Sequence, residues 1–306
     1  MKLLELKKSY LNKRIIKEDY IEEMFKIHKI LYEYSELIKK SELEKIEISS
    51  GQVVFTNSDG IRLVSTSCDK RLAPVDVLNF GSYEKDEREM FLKLVDDGFS
   101  IFDIGANVGW YSIYFAKKFP RSTVYAFEPV KKTFDNLNIN IEFNNSKNVK
   151  VFNFGFSNES TKQVFYLDDE ESVSASMRNL KGGKRISKVP GRLMRLDDFC
   201  KREKLKVDFI KCDVEGAELL VFKGGINTIL RDKPIIFAEM LRKWSSKFSY
   251  HPNAIIKLLD EAGYECFFVS FGKLRRLQRM TDKTNATNFF FLHKTLHSKK
   301  INKLTK

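Results

Sequence analysis

The feature that most constrains this chain is an alternation that begins near residue 84 and runs almost to residue 294. Short apolar runs (SIFDIG, STVYAFEP, NVKVFNFGF, VDFIKCD, KPIIFAEM, YECFFVSF and NATNFFFLHK) are separated in most cases by helical segments: WYSIYFAKKF, TFDNLNINIEFN, AELLVFKGGINTIL and NAIIKLLDEAG. Runs of four to eight β-rich residues alternating with amphipathic helices predict a parallel sheet covered by helices on both faces. The last two runs have no helix between them and so predict an antiparallel hairpin at one edge. A preceding helix, EKDEREMFLKLVDDG, stops at Gly98.

Ligands of such sheets bind beyond the carboxyl ends of the strands, near the point where strand order reverses. Here the first run ends in Asp103-Ile-Gly105-Ala-Asn107-Val-Gly109, the second in Glu128-Pro129, the fourth in Asp213-Val-Glu215-Gly216 and the fifth in Glu239. Four predicted strands thus deliver acids to one rim. The glycines suit a turn in which backbone approaches a ligand, but the spacing G-x-N-x-G departs from the dinucleotide fingerprint G-x-G-x-x-G. An acid at the head of the loop repels phosphate and suits a cation. S-adenosylmethionine carries an ammonium and a sulfonium and no phosphate. Glu128, 23 positions after Gly105, is placed to accept hydrogen bonds from two ribose hydroxyls.

Tyr83-Glu84, IFDIGANVGWYS, FEP, DFIKCDVEGAELLVFKGG and PIIFAEM together resemble the FkbM-type S-adenosylmethionine-dependent methyltransferases, from about Gly81 to Lys294. The resemblance implies a Rossmann-like class I methyltransferase fold with a seven-stranded, mostly parallel sheet and one antiparallel edge strand. It also implies O-methylation of a hydroxyl on a sugar, surface glycan, or nucleotide- or lipid-linked sugar. Position by position, it implies that Asp103, Gly105, Asn107 and Gly109 hold the methionine end, Glu128 the ribose, and Phe156-Ser157-Asn158 the adenine, with Glu84 close to the cofactor.

A sugar hydroxyl needs a base or a metal ion to become a nucleophile. Asp213, Glu215, Glu239 and His251 are the candidates, and Asp213 with Glu239 could hold Mg2+, which the sequence does not require. Glu218 reads as a first-turn acid favourable to a helix dipole. Lys211 reads equally as an ion-pair partner of Asp213 or as a substrate contact, and Trp110 and Tyr111 as core.

Outside this region, residues 1–50 read as an amphipathic helical extension, a possible surface for homodimerisation. Residues 51–80 read as a hairpin lead-in around Asp59-Gly60, residues 81–294 as the methyltransferase domain, and residues 295–306 as a disordered basic tail. The net charge of +13 resolves into +8 over residues 178–206 and +9 over residues 271–306, leaving −4 elsewhere. Residues 178–206 contain one aromatic, Phe199, and the final fourteen contain none. Nucleic-acid binding would interleave cations with stacking aromatics, so DNA is excluded and RNA methylation ranks second, ahead of a non-catalytic scaffold. Residues 170–195 read as a flap, made mobile by Gly182-Gly183, whose basic residues 178–195 meet an anionic glycan. No run approaches the roughly 20 apolar residues of a membrane span. Four scattered cysteines suit a reducing cytoplasm rather than a zinc site, and 39 Lys against 15 Arg suit a bacterial, AT-rich genome.

Overall fold

The computed structural model describes residues 2–49, 51–65, 69–168, 171–180 and 186–306. The chain opens with three helices, α1 (Lys2–Leu11), α2 (Lys17–His28) and α3 (Ile30–Lys39), none of which has a fully buried residue. Their apolar side chains, among them Leu4, Phe25 and Leu31, stay exposed. The helical extension expected over residues 1–50 ends at Lys39, because LEKIEIS alternates isoleucine with charge at the period of a strand. That segment is β1 (Leu43–Ser49), which pairs antiparallel with β2 (Gln52–Asn57), itself paired with β3 (Arg62–Ser65). The expected Asp59-Gly60 turn joins β2 to β3, with Gly60 at φ +69°. A helix that periodicity did not signal, α4 (Ala73–Phe80), follows, with proline in its first turn.

Next come α5 (Lys85–Leu94), β4 (Ser100–Ile104), α6 (Trp110–Lys118), β5 (Thr123–Phe127), α7 (Lys131–Phe143) and β6 (Val149–Phe152). An insertion of four strands, β7 (Gly155–Phe156), β8 (Thr161–Asp168), β9 (Glu171–Ser176) and β10 (Ile186–Met194), leads through α8 (Leu196–Glu203) to β11 (Phe209–Cys212). The chain continues with α9 (Glu218–Gly224), α10 (Ile226–Asp232), β12 (Ile235–Glu239), α11 (Arg242–Ser245), α12 (Asn253–Glu261), β13 (Tyr264–Ser270), β14 (Lys273–Leu277), β15 (Asn288–His293) and α13 (Ser298–Leu304).

The main sheet has the order β14-β13-β15-β12-β11-β4-β5-β6. Its last five strands are mutually parallel, and β15 runs antiparallel to both β12 and β13. The expected seven-stranded sheet is therefore present, and β14 adds an eighth strand at the edge. The last two apolar runs pair antiparallel as expected, Phe267 opposite Phe290, but they are not a hairpin at the edge. β14 makes that hairpin with β13, and β15 inserts between β13 and β12. The physical reason is legible: NFFFLH is buried at every position, as a central strand requires, whereas KLRRL buries only Leu274.

Helices cover both faces. On one, the Phe91 ring of α5 lies 4.9–5.7 Å from the rings of Phe115, Phe209, Phe237 and Phe290. On the other, Phe102, Phe127, Phe199 and Phe222 pack together. Residues 295–306 are not the expected disordered tail, since α13 buries Ile301 and Leu304 in the core; that i, i+3 pair was the signal. The expected flap over 170–195 contributes β9 and β10 to the small sheet β7-β10-β8-β9, while Gly182-Gly183 lies outside the described residues. Among the described residues no helix is long and apolar enough to cross a membrane.

Two asparagines of α7 fasten the N-terminal meander to this body. The buried Asn140 accepts from the Val64 amide at 3.0 Å and donates to the Val108 carbonyl at 2.8 Å. Asn144 accepts from the Arg62 amide at 2.9 Å and donates to its carbonyl at 2.6 Å, so α7 satisfies the open edge of β3 as a further strand would. Asn140→Leu, which leaves two backbone groups unpaired, is expected to lower stability in urea unfolding by about 1–3 kcal/mol. An unchanged midpoint would show that the meander is held otherwise.

Candidate active site

β4 lies between β5 and β11, so the chain leaves it toward one side and returns on the other, and the loops after β4 and β11 part at this switch point. They cross at Gly105. Its φ is +77°, and a Cβ there would sit 1.8 Å from the Asp213 carbonyl oxygen, a contact no side chain tolerates. Gly109, at φ +95°, holds a backbone conformation that favours glycine, and a Cβ there would press on the Leu137 methyl at 2.7 Å. Asn107, at φ 50°, lines the cavity that opens between the loops, and its buried side-chain oxygen has no hydrogen-bond partner.

The cavity measures about 190 Å³. Glu128, at the end of β5, forms part of its wall and accepts from the amides of Asn107 at 3.1 Å and Val130 at 2.9 Å. Burial nevertheless pushes its carboxyl up to about 7. Phe156 lines the cavity too, with Phe165 and Leu193 of the inserted sheet and Met177 just after β9, which the sequence did not single out because their apolar positions carry no motif.

Asp103 is a correction. Expected to meet the methionine end of a cofactor, it is fully buried and absent from the cavity wall. Its carboxylate accepts from the Ser112 hydroxyl at 2.6 Å and lies 3.3 Å from the Lys211 ammonium. Lys211, 3% exposed, also reaches the Gly105 carbonyl at 2.9 Å and the Asp213 carboxylate at 3.5 Å. Burial opposes its charge, but Asp103 and then Asp213 outweigh burial and hold the ammonium's pKa above its ordinary value. The ion-pair reading of Lys211 is the one found, and it consumes the charge assigned to the cofactor.

Asp213, Glu215 and Glu239 converge on the cavity wall, each with a carboxylate oxygen within 4.8 Å of the others, a set that could hold a metal ion. Burial and then the neighbouring acids, Asp213 first, hold the Glu239 carboxyl well above the usual range. Glu218 shapes the loop beneath them: it accepts from the amides of Val214 at 3.1 Å and Gly216 at 3.0 Å and from the Tyr250 hydroxyl at 3.3 Å. Burial pushes its carboxyl up to about 7.

Glu84 does not line the cavity but lies behind Tyr83, which does. It accepts from the Tyr111 hydroxyl and from Asn288 at 2.9 Å, and burial pushes it up to about 7. Trp110 and Tyr111 are buried, as a core reading requires, and line the cavity as well. Ser157 and Asn158 do not reach it: the Ser157 backbone packs against Gly224, and Asn158 is exposed. His251 is exposed outside the cavity, its Nδ1 accepting from the Asn253 amide at 3.2 Å, so it is withdrawn as a candidate base. Among the described residues the basic run lines the cavity through Leu193 and brings none of its cations to it. The cavity's lining cations among those residues are Arg71, paired with Asp76 at 3.2 Å, and Lys211.

The profile of the methyltransferase FkbM domain matches residues 103–266, over half of the chain and all of the wall from Gly105 to Glu239. The chain belongs to the FkbM methyltransferase family. It is 31% identical over 147 residues to Methyltransferase 1 of Beauveria bassiana, covering 42% of this chain and 59% of that protein. It is 26% identical over 180 residues to the hexuronic acid methyltransferase AglP of Haloferax volcanii, covering 58% of this chain and 69% of that protein. A methyltransferase FkbM structure from Methylobacillus flagellatus KT superposes with a TM-score of 0.43 at 17% identity, covering 72% of this chain and 53% of that one. The chain thus spans about three-fifths of the length of the first of these relatives.

Two outcomes test this FkbM-domain geometry. Gly105→Ala is expected to cost at least about 2 kcal/mol of stability in chemical unfolding, from strain and clash together; a neutral result would contradict the crossing. Glu218 titrates higher folded than unfolded, so its contribution to stability is greatest below its ordinary value of 4.5 and is lost as pH rises toward about 7. Wild type should therefore lose ground to Glu218→Gln across that window and hold a constant difference above it. A difference that does not move with pH would contradict the buried placement.

Proposed function

We propose that this domain transfers a methyl group from S-adenosylmethionine to a hydroxyl of a sugar, surface glycan, or nucleotide- or lipid-linked sugar. The observation that carries the reading is the convergence of Asp213, Glu215 and Glu239 on the same cavity wall as the Gly105–Asn107 loop and Glu128. The residues fit the cofactor: the unpartnered side-chain oxygen of Asn107 suits an ammonium, the Glu128 carboxyl suits ribose hydroxyls, and Phe156 with Phe165 and Leu193 suits an adenine. Bound there, S-adenosylmethionine supplies an electrophilic methyl group on a sulfonium.

The chain's own part is to orient the acceptor and take its proton. Asp213, beside the Lys211 ammonium, is the group we assign to accept the hydroxyl proton. Glu239 keeps its own proton to higher pH than an ordinary carboxyl and so donates a hydrogen bond that fixes the acceptor. A divalent cation such as Mg2+ would take the same three carboxylates and polarise the hydroxyl instead. A sugar acceptor is supported by the relative named for hexuronic acid methylation. The acids of the wall outnumber its cations, which are themselves paired, and this favours an uncharged hydroxyl at the reacting end.

The test is release of S-adenosylhomocysteine against a panel of nucleotide sugars and glycans, with Mg2+ and with chelator. Asp213→Asn and Glu239→Gln should each lower kcat by about 10²–10⁴ with cofactor affinity retained. Glu128→Gln should weaken cofactor binding about tenfold, the loss of one or two good hydrogen bonds. Full turnover in both acid variants, or release on RNA with silence on every glycan, would contradict the proposal.

A further inference from the structure

The hairpin between β13 and β14 turns on Phe271 and Gly272, with Ser270 opposite Lys273. Both turn residues are left-handed, at φ 51° and 70°. Two-residue turns of this kind favour Asn-Gly, and a bulky side chain at the first position is disfavoured by sterics. The chain nevertheless carries phenylalanine there, 91% exposed, the most exposed large hydrophobic among the described residues. Nothing in the packing of the turn uses that ring.

Its surroundings are basic. Lys93 of α5 donates to the Gly272 carbonyl at 3.0 Å, beside the exposed Leu92, and the Lys273 ammonium reaches the Lys306 carbonyl. α13 packs against β14 with Ile301 and Leu304 inward, which turns Lys299 and Lys303 outward. Lys300 is paired with Asp96 at 2.9 Å, whereas Arg275, Lys299, Lys303 and Lys306 make no ion pair within the described residues. Residues 271–306 hold ten cations and a single acid, Asp282.

We propose that the β13–β14 turn and the outer face of α13 dock the protein on an anionic lipid bilayer, with the Phe271 ring at the boundary of headgroups and acyl chains and the surrounding lysines on anionic headgroups. An aromatic tip beside lysines that make no ion pair is the chemistry of such a surface. Protection of the sheet edge would need the lysines alone, not the ring. A second copy of this chain would bring like charge against like. Single-stranded RNA would want several stacking rings, and this surface has one.

The experiment is sedimentation of the full chain with phosphatidylcholine vesicles and with vesicles in which about a quarter of the lipid is phosphatidylglycerol. The protein should partition onto the anionic vesicles only, and less as salt rises. Phe271→Asn suits the turn better, so it should leave the unfolding temperature unchanged or higher while lowering partition about fivefold or more. Lys299→Gln with Lys303→Gln should lower it by at least about tenfold. Equal partition onto neutral vesicles, or full binding by Phe271→Asn, would overturn the proposal. So would tight binding of an RNA homopolymer that ignores Phe271→Asn and displaces the vesicles.

Discussion

The site depends on a buried cation. Lys211 sits in β11 directly opposite Asp103 in β4, and its ammonium spans Asp103, Asp213 and the Gly105 carbonyl. A lone ammonium at that depth would be costly, and so would the Asp103 carboxylate. Together they hold the first and fourth strand loops at the spacing that only a glycine at position 105 permits. From that crossing follow the cavity-lining Asn107 loop on one side and the acids after β11 and β12 on the other.

That interaction also explains the distribution of acids around the cavity. A rim of carboxylates suggests a cationic ligand, yet the first of them, Asp103, is neutralised from within by the protein's own lysine. The remaining acids divide by what holds them. Glu128 and Glu218 accept backbone amides and fix loops. Asp213, Glu215 and Glu239 face the cavity. Acids of similar sequence context are thus held by loop amides, as Glu218 is, left facing the cavity, as Asp213 is, or, for Glu128, both.

Much of this was legible in the sequence. Every apolar run after residue 99 became a strand, because each is a short stretch of β-rich residues bounded by turns or helices, and four of the seven carry an acid at the carboxyl end. Three kinds of information were not legible. Asp103 and Lys211 are far apart in sequence, and only strand register brings them together. β14 reads as polar because an edge strand buries one side chain in five, and the insertion β7–β10 lines the cavity through scattered apolar residues without a motif. His251 read as a base from residue type alone, whereas its position at the start of α12 spends its ring nitrogen on a backbone amide. The basic tail was misjudged for the opposite reason: its charge concealed the Ile301 and Leu304 spacing that buries it.

The central claim, that the Lys211 ion pairs set the crossing on which the site is built, is tested most directly by a double-mutant cycle in unfolding free energy with Lys211→Met and Asp103→Asn. Each single change strands a buried charge and should cost about 3–5 kcal/mol. The double variant should cost less than the sum of the two by about 1–3 kcal/mol, since it removes both charges together. Strict additivity would contradict the account.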